Sequence, residues 1–158
     1  MVTVIIPTLA GGENLEKCLA ALAVQTFAAF ETVVVDNSGR GVARALAREA
    51  GARLIENPAN VGFGAAVNQG IEASAGEFIC TLNDDAFPDP RWLEALVAAC
   101  QDHPGAGMFA SQIRLNEAPD RLDSAGMEIY LDGSSKQRGR MAPAAAYAEP
   151  EEVLFPSA

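Results

Sequence analysis

The sequence predicts an α/β domain built on a mostly parallel sheet with helices on both faces. Short apolar runs alternate about four times with segments of helical periodicity, which is the element order of a parallel α/β sheet. The first run, residues 2–6, is β-branched and almost wholly apolar, as expected of a strand buried on both faces. Turn signals follow the runs, for example at residues 36–39 after the second one.

Each predicted strand is followed by a predicted helix. Strands are expected at residues 2–6, 30–35, 53–55 and 78–82, and the third helix at residues 62–74. Asp89 and Pro90 are expected to begin the fourth helix as N-cap and first-turn proline. The helices are predicted from apolar side chains three or four positions apart. In chain order these are Leu15, Cys18, Leu19 and Leu22; Val42, Ala45, Leu46 and Ala50; Val67 and Ile71; and Trp92, Leu93, Leu96, Val97 and Cys100.

The pattern weakens toward the end of the chain. Further strands are expected at residues 108–115 and 127–131. Residues 133–158 are polar or rich in Ala and Pro, which predicts loop or weakly ordered chain. Within them, residues 153–155 resemble the start of another strand, or alternatively a frayed tail docked on the sheet edge. We therefore expect an α/β domain over residues 1–132 and a loop-rich, incomplete start of a second region over residues 133–158.

The net charge of −10, from 11 basic and 21 acidic residues, argues against nucleic acid as a partner. Neutralising phosphates requires clustered Lys and Arg, and the one basic cluster, Lys136, Arg138 and Arg140, is interpreted as a solvated loop. For the same reason, an acidic chain that binds a diphosphate needs a cation between protein and ligand.

Cysteine and histidine usage indicates no redox or zinc chemistry. Cys18, Cys80 and Cys100 are interpreted as small core residues in a reducing compartment, and the single histidine, His103, as a helix-end residue. No apolar run is long enough to cross a membrane, and the N-terminus does not resemble a signal peptide. A cytoplasmic location is expected, and membrane association of a longer protein stays open.

Ligands of parallel α/β sheets bind outside the carboxyl ends of the strands, so residues just after each strand are the candidates. The strongest feature is Asn83, Asp84 and Asp85, directly after an apolar strand. Adjacent carboxylates at a turn can diverge toward a metal and a ligand hydroxyl, and hard oxygen ligands suit Mg²⁺ or Mn²⁺. The alternative is an ordinary Asp-rich turn or a helix cap.

Two other strand ends carry candidate residues. Asp36 either accepts hydrogen bonds from a nucleobase or ribose, or forms an Asx-turn to Ser38 or Gly39. Asn60 and Gly62 precede the third helix, where glycines allow an anion to approach the backbone; an ordinary helix entry is the alternative. The sequence has no Walker Lys-Ser/Thr and no glycine fingerprint after the first strand, which disfavours Walker NTPases and Rossmann dehydrogenases.

Taken in order, several sequence blocks resemble the family-2 glycosyltransferases of GT-A fold, whose nucleotide-binding half is Rossmann-like. The similarity runs from residue 2 to about 103 and more loosely beyond. The blocks are Val4-Ile5-Ile6-Pro7-Thr8, Gln25-Thr26-Phe27, Val34-Val35-Asp36-Asn37-Ser38, Asn60-Val61-Gly62-Phe63-Gly64-Ala65-Ala66-Val67-Asn68 and Leu82-Asn83-Asp84-Asp85. The fourth block and residues 123–126 are most similar to bacterial rhamnosyltransferase-type members.

The resemblance implies a donor site for a nucleoside-diphosphate sugar. The segment after the first strand and Asp36 would hold the base, Asp84 would lie near the ribose, and Asp85 would bind Mg²⁺ or Mn²⁺ beside the diphosphate. An inverting member also needs a general base, which the resemblance places in an acidic motif beyond Ala158. The implied substrate-binding residues are Pro7, Thr8, Leu9, Asp36, Asn60, Gly62, Asn68, Asn83 and Asp84, and the implied metal ligand is Asp85.

Two positions depart from the family pattern. Leu9-Ala10 stands where the family usually has an aromatic residue and an asparagine, which implies a weaker or purely apolar contact with the base. Asn83 replaces the first carboxylate of the family's Asp-x-Asp, which lowers the local negative charge.

The expected function is transfer of a sugar to a glycan or lipid-linked acceptor. One alternative is a fragment that binds the donor without transfer, or a module that forms a homodimer through an exposed sheet edge. The other is a nucleotidyltransferase, which we disfavour because residues 9–13 supply glycines but no basic side chain for a triphosphate.

Overall fold

The computed structural model describes residues 1–153 and 155–156. They belong to two compact units, Met1–Ala95 and Leu96–Ala158, and the predicted boundary at residue 132 lies inside the second. In chain order the elements are β1 (Val2–Thr8), α1 (Gly12–Ala23), β2 (Phe30–Asp36), α2 (Arg44–Glu49), β3 (Arg53–Glu56), α3 (Phe63–Ala73), β4 (Phe78–Thr81), α4 (Trp92–Asp102), β5 (Ile113–Leu115), β6 (Ala118–Ser124), β7 (Met127–Ile129), β8 (Ser135–Gln137) and a short 3-10 helix (Ala144–Tyr147).

The first unit contains a four-stranded sheet in the order β3-β2-β1-β4. All its strand pairs are parallel, and all seven residues of β1 are buried, as the apolar run predicts. The register places Thr8 beside Asp36 and Asp36 beside Glu56, so the carboxyl ends of β1, β2 and β3 are level. The predicted parallel sheet is confirmed.

Helices cover both faces of this sheet. On one face, Ile5, Val33 and Val35 form a buried cluster with Ala66 of α3. The contact is close, because a Cβ added to Gly70 of α3 would lie 2.4 Å from Cγ2 of Ile5. Residues that alternate with these along the strands, such as Val4, Ile6 and Val34, are fully buried on the opposite face, where α1 and α2 contact each other. The predicted stripe of α1 is confirmed: Leu15, Cys18, Leu19 and Leu22 are buried.

The predicted face of the second helix is wrong. Ala43 and Ala47 are buried, whereas the predicted Ala45 and Ala50 are exposed. The carboxylate of Asp36 accepts a hydrogen bond from the backbone N–H of Ala43, 2.8 Å away, which sets the rotation of α2 as it begins. That contact is made by a polar side chain seven positions earlier, so the spacing of apolar residues does not reveal it.

Three further elements, β4, α4 and α3, are more exposed than predicted. In β4, Phe78 and Ile79 are 38% and 37% exposed, because this strand forms the edge of the sheet. In α4 only Leu93 is buried, and Ile71 of α3 is exposed although Val67 is buried. α4 begins at Trp92, two residues after the predicted first-turn Pro90. The Asp89 carboxylate accepts a hydrogen bond from the backbone N–H of Arg91 in the turn before the helix. His103 directly follows the helix, as predicted, and its N–H donates to the carbonyl of Ala99.

The second unit contains two antiparallel strand pairs, β5 with β6 and β7 with β8. The strand predicted at residues 108–115 is limited to β5, and β6 is not predicted because its sequence, Ala-Pro-Asp-Arg-Leu-Asp-Ser, is polar and contains proline. Of the strand predicted at residues 153–155, Leu154 lies outside the described residues, and Phe155 forms an isolated bridge with Met127.

The interpretation of Lys136, Arg138 and Arg140 as a solvated loop is wrong in part, because Lys136 and Arg140 are exposed but Ser135–Gln137 form a strand. Lys136 lies in β8 and pairs with Glu128 at 3.2 Å, Arg140 pairs with Asp123 at 3.3 Å, and Arg138 pairs with Glu151. The basic cluster is therefore neutralised by acidic partners rather than held out as an anion-binding patch. In the described part of the chain, no helix combines the length and the apolar character needed to cross a membrane.

Candidate functional site

The strand order creates a topological switch point between β1 and β4. The chain moves outward from β1 to β2 and β3 and then returns to the other side of β1 to form β4. In open α/β sheets the crevice at the carboxyl ends of such strands is the usual ligand site. Thr8 ends β1 at this crevice, and Asn83, Asp84 and Asp85 follow β4 there.

Thr8 and Asp84 are in direct contact across this point. Oγ1 of Thr8 donates a hydrogen bond to Oδ2 of Asp84 at 2.5 Å and accepts one from the backbone N–H of Gly11 at 3.0 Å. Thr8 is 2% exposed and Asp84 is half-buried. The hydrogen bond from the Ala86 N–H to the carbonyl of Asn83 closes a turn that carries both aspartates. The end of β1 and the turn after β4 therefore hold each other in place at one edge of the candidate site.

Asp85 has the properties of a carboxylate available to a ligand. It is exposed, and no hydrogen bond or ion pair joins it to any residue that the structure describes. Among the described residues no group of three or more His, Cys, Asp or Glu side chains could enclose a metal ion. One or two carboxylate ligands fit Mg²⁺ or Mn²⁺, which keep waters and bind substrate phosphates, and do not fit a closed zinc site.

Cys18 lies beneath the same turn. Its thiol is fully buried and donates a long hydrogen bond, 3.7 Å, to the carbonyl of Asn83. Burial, with the nearby charges of Asp84 and Asp85, raises the pKa of Cys18 to about 12. The thiol therefore stays protonated, and the core interpretation is confirmed for Cys18. It is wrong for Cys80 and Cys100, which are half-buried.

Asp36 is fully buried at the end of β2. One carboxylate oxygen accepts hydrogen bonds from the N–H of Ser38 at 3.0 Å and from its hydroxyl at 2.5 Å, and the other accepts from the Ala43 N–H. Burial acts to raise the pKa of Asp36, but the hydrogen bonds from Ser38 and Ala43 outweigh it and hold the pKa below the ordinary value. The structure therefore contains the Asx-turn that was the alternative interpretation, and base recognition by Asp36 stays a prediction.

Side-chain amides link the loops that follow β2 and β3. Asn37 donates to Oδ1 of Asn60 at 2.9 Å, and its own Oδ1 accepts from Nδ2 of Asn57 at 3.1 Å. Asn57 and Gln69 exchange two hydrogen bonds, at 2.8 and 2.9 Å. Nothing in the sequence marks Gln69, which lies inside α3. In the sequence, the only indication of this hydrogen-bond network is the asparagine that follows each of two successive strands, Asn37 after β2 and Asn57 after β3.

Four of the remaining predicted residues lie at strand ends or directly before α3. Pro7 is buried in β1, Leu9 is 50% exposed after it, and Asn83 is exposed. Gly62 adopts a φ of 91°, a backbone conformation that favours glycine, directly before α3. Asn68 instead lies inside α3, where it is exposed, and no hydrogen bond joins it to Thr8 or Asp84.

Asp36 and Asp84 both flank Thr8. Asp36 is the register partner of Thr8 and Asp84 is its hydrogen-bond partner, so the carboxylates share one rim of the sheet.

The sequence profile that describes glycosyl transferase family 2 matches residues 3–144 of the chain. The chain belongs to glycosyl transferase family 2.

Two curated glycosyltransferases are similar to this chain over more than half of its length. Glycosyltransferase AglE of Haloferax volcanii is 38% identical over 101 residues, covering 59% of this chain and 33% of that protein. The N-acetylglucosaminyl-diphospho-decaprenol L-rhamnosyltransferase of Mycobacterium tuberculosis is 32% identical over 124 residues, covering 70% of this chain and 40% of that protein. The chain thus spans well under half the length of these relatives.

The solved structure of a mannosyltransferase has the same fold. The mannosyltransferase PcManGT from Pyrobaculum calidifontis, in complex with GDP-Man and Mn²⁺, superposes with a TM-score of 0.56 and 26% identity, covering 72% of this chain and 34% of that one. The GT-A fold implied by the sequence resemblance is confirmed.

Proposed function

We propose that this chain binds a nucleoside-diphosphate sugar together with Mg²⁺ or Mn²⁺ at the carboxyl edge of its parallel sheet, as the donor-binding part of a glycosyltransferase. The observation that carries the proposal is the Thr8–Asp84 contact at the switch point, with Asp85 exposed beside it. PcManGT, which shares the fold, was solved with GDP-Man and Mn²⁺, and this supports the ligand class.

In this proposal each predicted site residue contacts a different part of the donor. Asp85 would supply a carboxylate ligand to the cation, whose charge stabilises the diphosphate as leaving group. Asp84, oriented by Thr8, would accept hydrogen bonds from ribose hydroxyls. Pro7 and Leu9 would form the apolar wall beside the base, with Asp36 beyond it. Asn60 and Gly62 would present amide and backbone N–H groups just before α3, and Asn68 would present its amide from within α3. Asn83 would line the turn after β4.

The acceptor is a glycan or a lipid-linked sugar in this proposal. The similarity to a rhamnosyltransferase named for a diphospho-decaprenol acceptor supports a lipid-linked class. Transfer needs a general base, and we assign that role to none of the described residues. Donor binding is therefore proposed for the chain itself, and transfer for the whole protein. A cytoplasmic location agrees with three cysteines present as thiols.

Isothermal titration of the 158-residue chain with UDP, GDP and dTDP in Mn²⁺ tests donor binding. We expect saturable binding to at least one nucleotide, loss of that binding in Asp85→Asn, and wild-type affinity in Asp102→Asn, which changes another exposed aspartate. Unchanged affinity in Asp85→Asn would exclude this residue as the metal ligand. Failure of all three nucleotides to bind the wild type would refute the proposal.

A homodimer through β4 is the second candidate, and it can coexist with donor binding. β4 forms the sheet edge, and its Phe78 and Ile79 are apolar and exposed. Exposed apolar edge strands promote pairing with another strand. Sedimentation equilibrium should then show a dimer that Ile79→Lys converts to monomer; a wild-type monomer at high concentration would exclude it.

A further inference from the structure

Asn37 uses its complete hydrogen-bonding capacity inside the protein. The residue is 3% exposed. Its Nδ2 donates to Oδ1 of Asn60 at 2.9 Å and to the carbonyl of Gly62 at 3.3 Å. Its Oδ1 accepts from Nδ2 of Asn57 at 3.1 Å and from the backbone N–H of Val61 at 3.0 Å. A side-chain amide offers two donors and two acceptor positions, so none is left over.

The backbone N–H of Asn37 contacts a different segment, the end of β1. Its N–H donates to the carbonyl of Thr8 at 2.8 Å, and the hydroxyl of Thr8 in turn holds Asp84. Thr8 and Asn37 therefore lie between the turn of Asp84 and the segment Asn60–Gly62 that precedes α3. Asn37 forms direct hydrogen bonds to Thr8 and to this segment, and Thr8 forms the one to Asp84.

The segment Asn60–Gly62 has few other restraints. α3 begins without a side-chain cap, and Asn60 and Gly62 are exposed. Besides its contacts with Asn37, the segment has one local hydrogen bond, from the Gly62 N–H to Oδ1 of Asn60 at 2.8 Å, and one to α3, from the Ala66 N–H to the carbonyl of Gly62 at 3.1 Å. Asn37 supplies its direct hydrogen bonds to the residues that follow β2.

We propose that Asn37 is a positioning residue, which holds the start of α3 at a fixed distance from the Thr8–Asp84 pair so that both engage the same nucleoside diphosphate. This inference rests on the proposed function. An aspartate at this position could not substitute, because it would place a carboxylate oxygen against Oδ1 of Asn60 and the carbonyl of Gly62. Pre-ordered groups lower the cost of ordering a loop when the ligand binds.

Two variants with the same chemical change separate positioning from general stability. Asn37→Asp and Gln69→Glu each convert one amide of the network to a carboxylate, but Gln69 contacts Asn57 and not the segment Asn60–Gly62. For each, the Kd for UDP in Mn²⁺ and the thermal unfolding midpoint are measured on the 158-residue chain. We expect a Kd about tenfold higher in Asn37→Asp and close to wild type in Gln69→Glu, although both midpoints fall.

Equal Kd values in wild type and Asn37→Asp would overturn this inference and leave donor binding intact. Equal weakening in both variants would also overturn it, because the network would then act only through stability. Failure of the wild type to bind any nucleoside diphosphate would remove the proposed function and the inference together. If Asn37→Asp does not fold, Asn60→Ala removes the acceptor for Asn37, and Asn60→Asp keeps it. Weaker UDP binding in Asn60→Ala with recovery in Asn60→Asp supports positioning, and any other pattern overturns it.

Discussion

The hydroxyl of Thr8 donates a 2.5 Å hydrogen bond to the carboxylate of Asp84, a residue 76 positions later in the chain. The bond spans the point where the chain returns across the sheet, and it orients Asp84 before any ligand arrives. Because Thr8 also accepts from the N–H of Gly11, its hydroxyl ties three segments together: β1, the loop before α1 and the turn after β4.

Replacing Thr8 by valine keeps the branched shape and removes the hydroxyl. The buried N–H of Gly11 loses its acceptor and Asp84 loses its donor, so we expect the free energy of unfolding to fall by about 1–3 kcal/mol. Urea unfolding measures this change. The control is Thr26→Val, whose hydroxyl bonds are exposed, and here we expect a change within about 0.5 kcal/mol. Equal effects in the two variants would show that the Thr8 bond contributes nothing specific.

Asp36 should make stability depend on pH. Its folded-state pKa lies below the ordinary 3.8, so on acidification the unfolded chain takes up the proton first. The stabilisation from ionised Asp36 is complete above its unfolded pKa and is lost as pH falls through the lower folded value. Urea midpoints should therefore show wild type more stable than Asp36→Asn at about pH 7, with the gap closing below about pH 4. A gap that stays constant across this range would contradict the assignment.

The thiol of Cys18 should be unreactive toward alkylating reagents in the folded protein. A thiol that is fully buried, with a pKa raised to about 12, supplies almost no thiolate at about pH 8. Alkylation with iodoacetamide, followed by peptide mass spectrometry, should leave Cys18 unmodified in native conditions and modify it in guanidinium. The half-buried Cys100 serves as the internal reference for reagent access. Native labelling of Cys18 as fast as Cys100 would show that the turn above it opens readily.

Gly70 should be intolerant of a methyl group. Its added Cβ would lie 2.4 Å from Ile5, and the resulting overpacking should lower the free energy of unfolding by about 1–3 kcal/mol, less the gain of about 0.5–1 kcal/mol for alanine over glycine in a helix. Gly64 is the matched control in the same helix, because its Cβ would meet nothing within 4 Å. Gly64→Ala should therefore be neutral or stabilising. Chemical denaturation of both variants tests the prediction, which fails if Gly70→Ala is as stable as Gly64→Ala.

β1 could be predicted from sequence because burial on both faces leaves a local signature in residues 2–6. β6 and β8 could not, because their sequences are mostly polar and each pairs with one three-residue strand, β5 or β7, so no periodicity separates them from loops. The same limit applies to the site. The position of Asp84 follows from its place after β4, but its contact with Thr8 joins residues far apart in the chain. The contacts of Asn37 and the internal hydrogen bonds of Asp36 are likewise set by tertiary packing.

Hydrogen bonds link Thr8 to Asp84, Asn37 to Thr8 and Asn37 to Gly62. This linkage has a practical consequence for redesign. Sugar or base preference is often altered by grafting one loop from a relative. Here a single grafted loop would lack its hydrogen-bonding counterparts on the other three segments. An exchange of specificity should therefore transplant the segments after β1, β2 and β3 and the turn after β4 as one set.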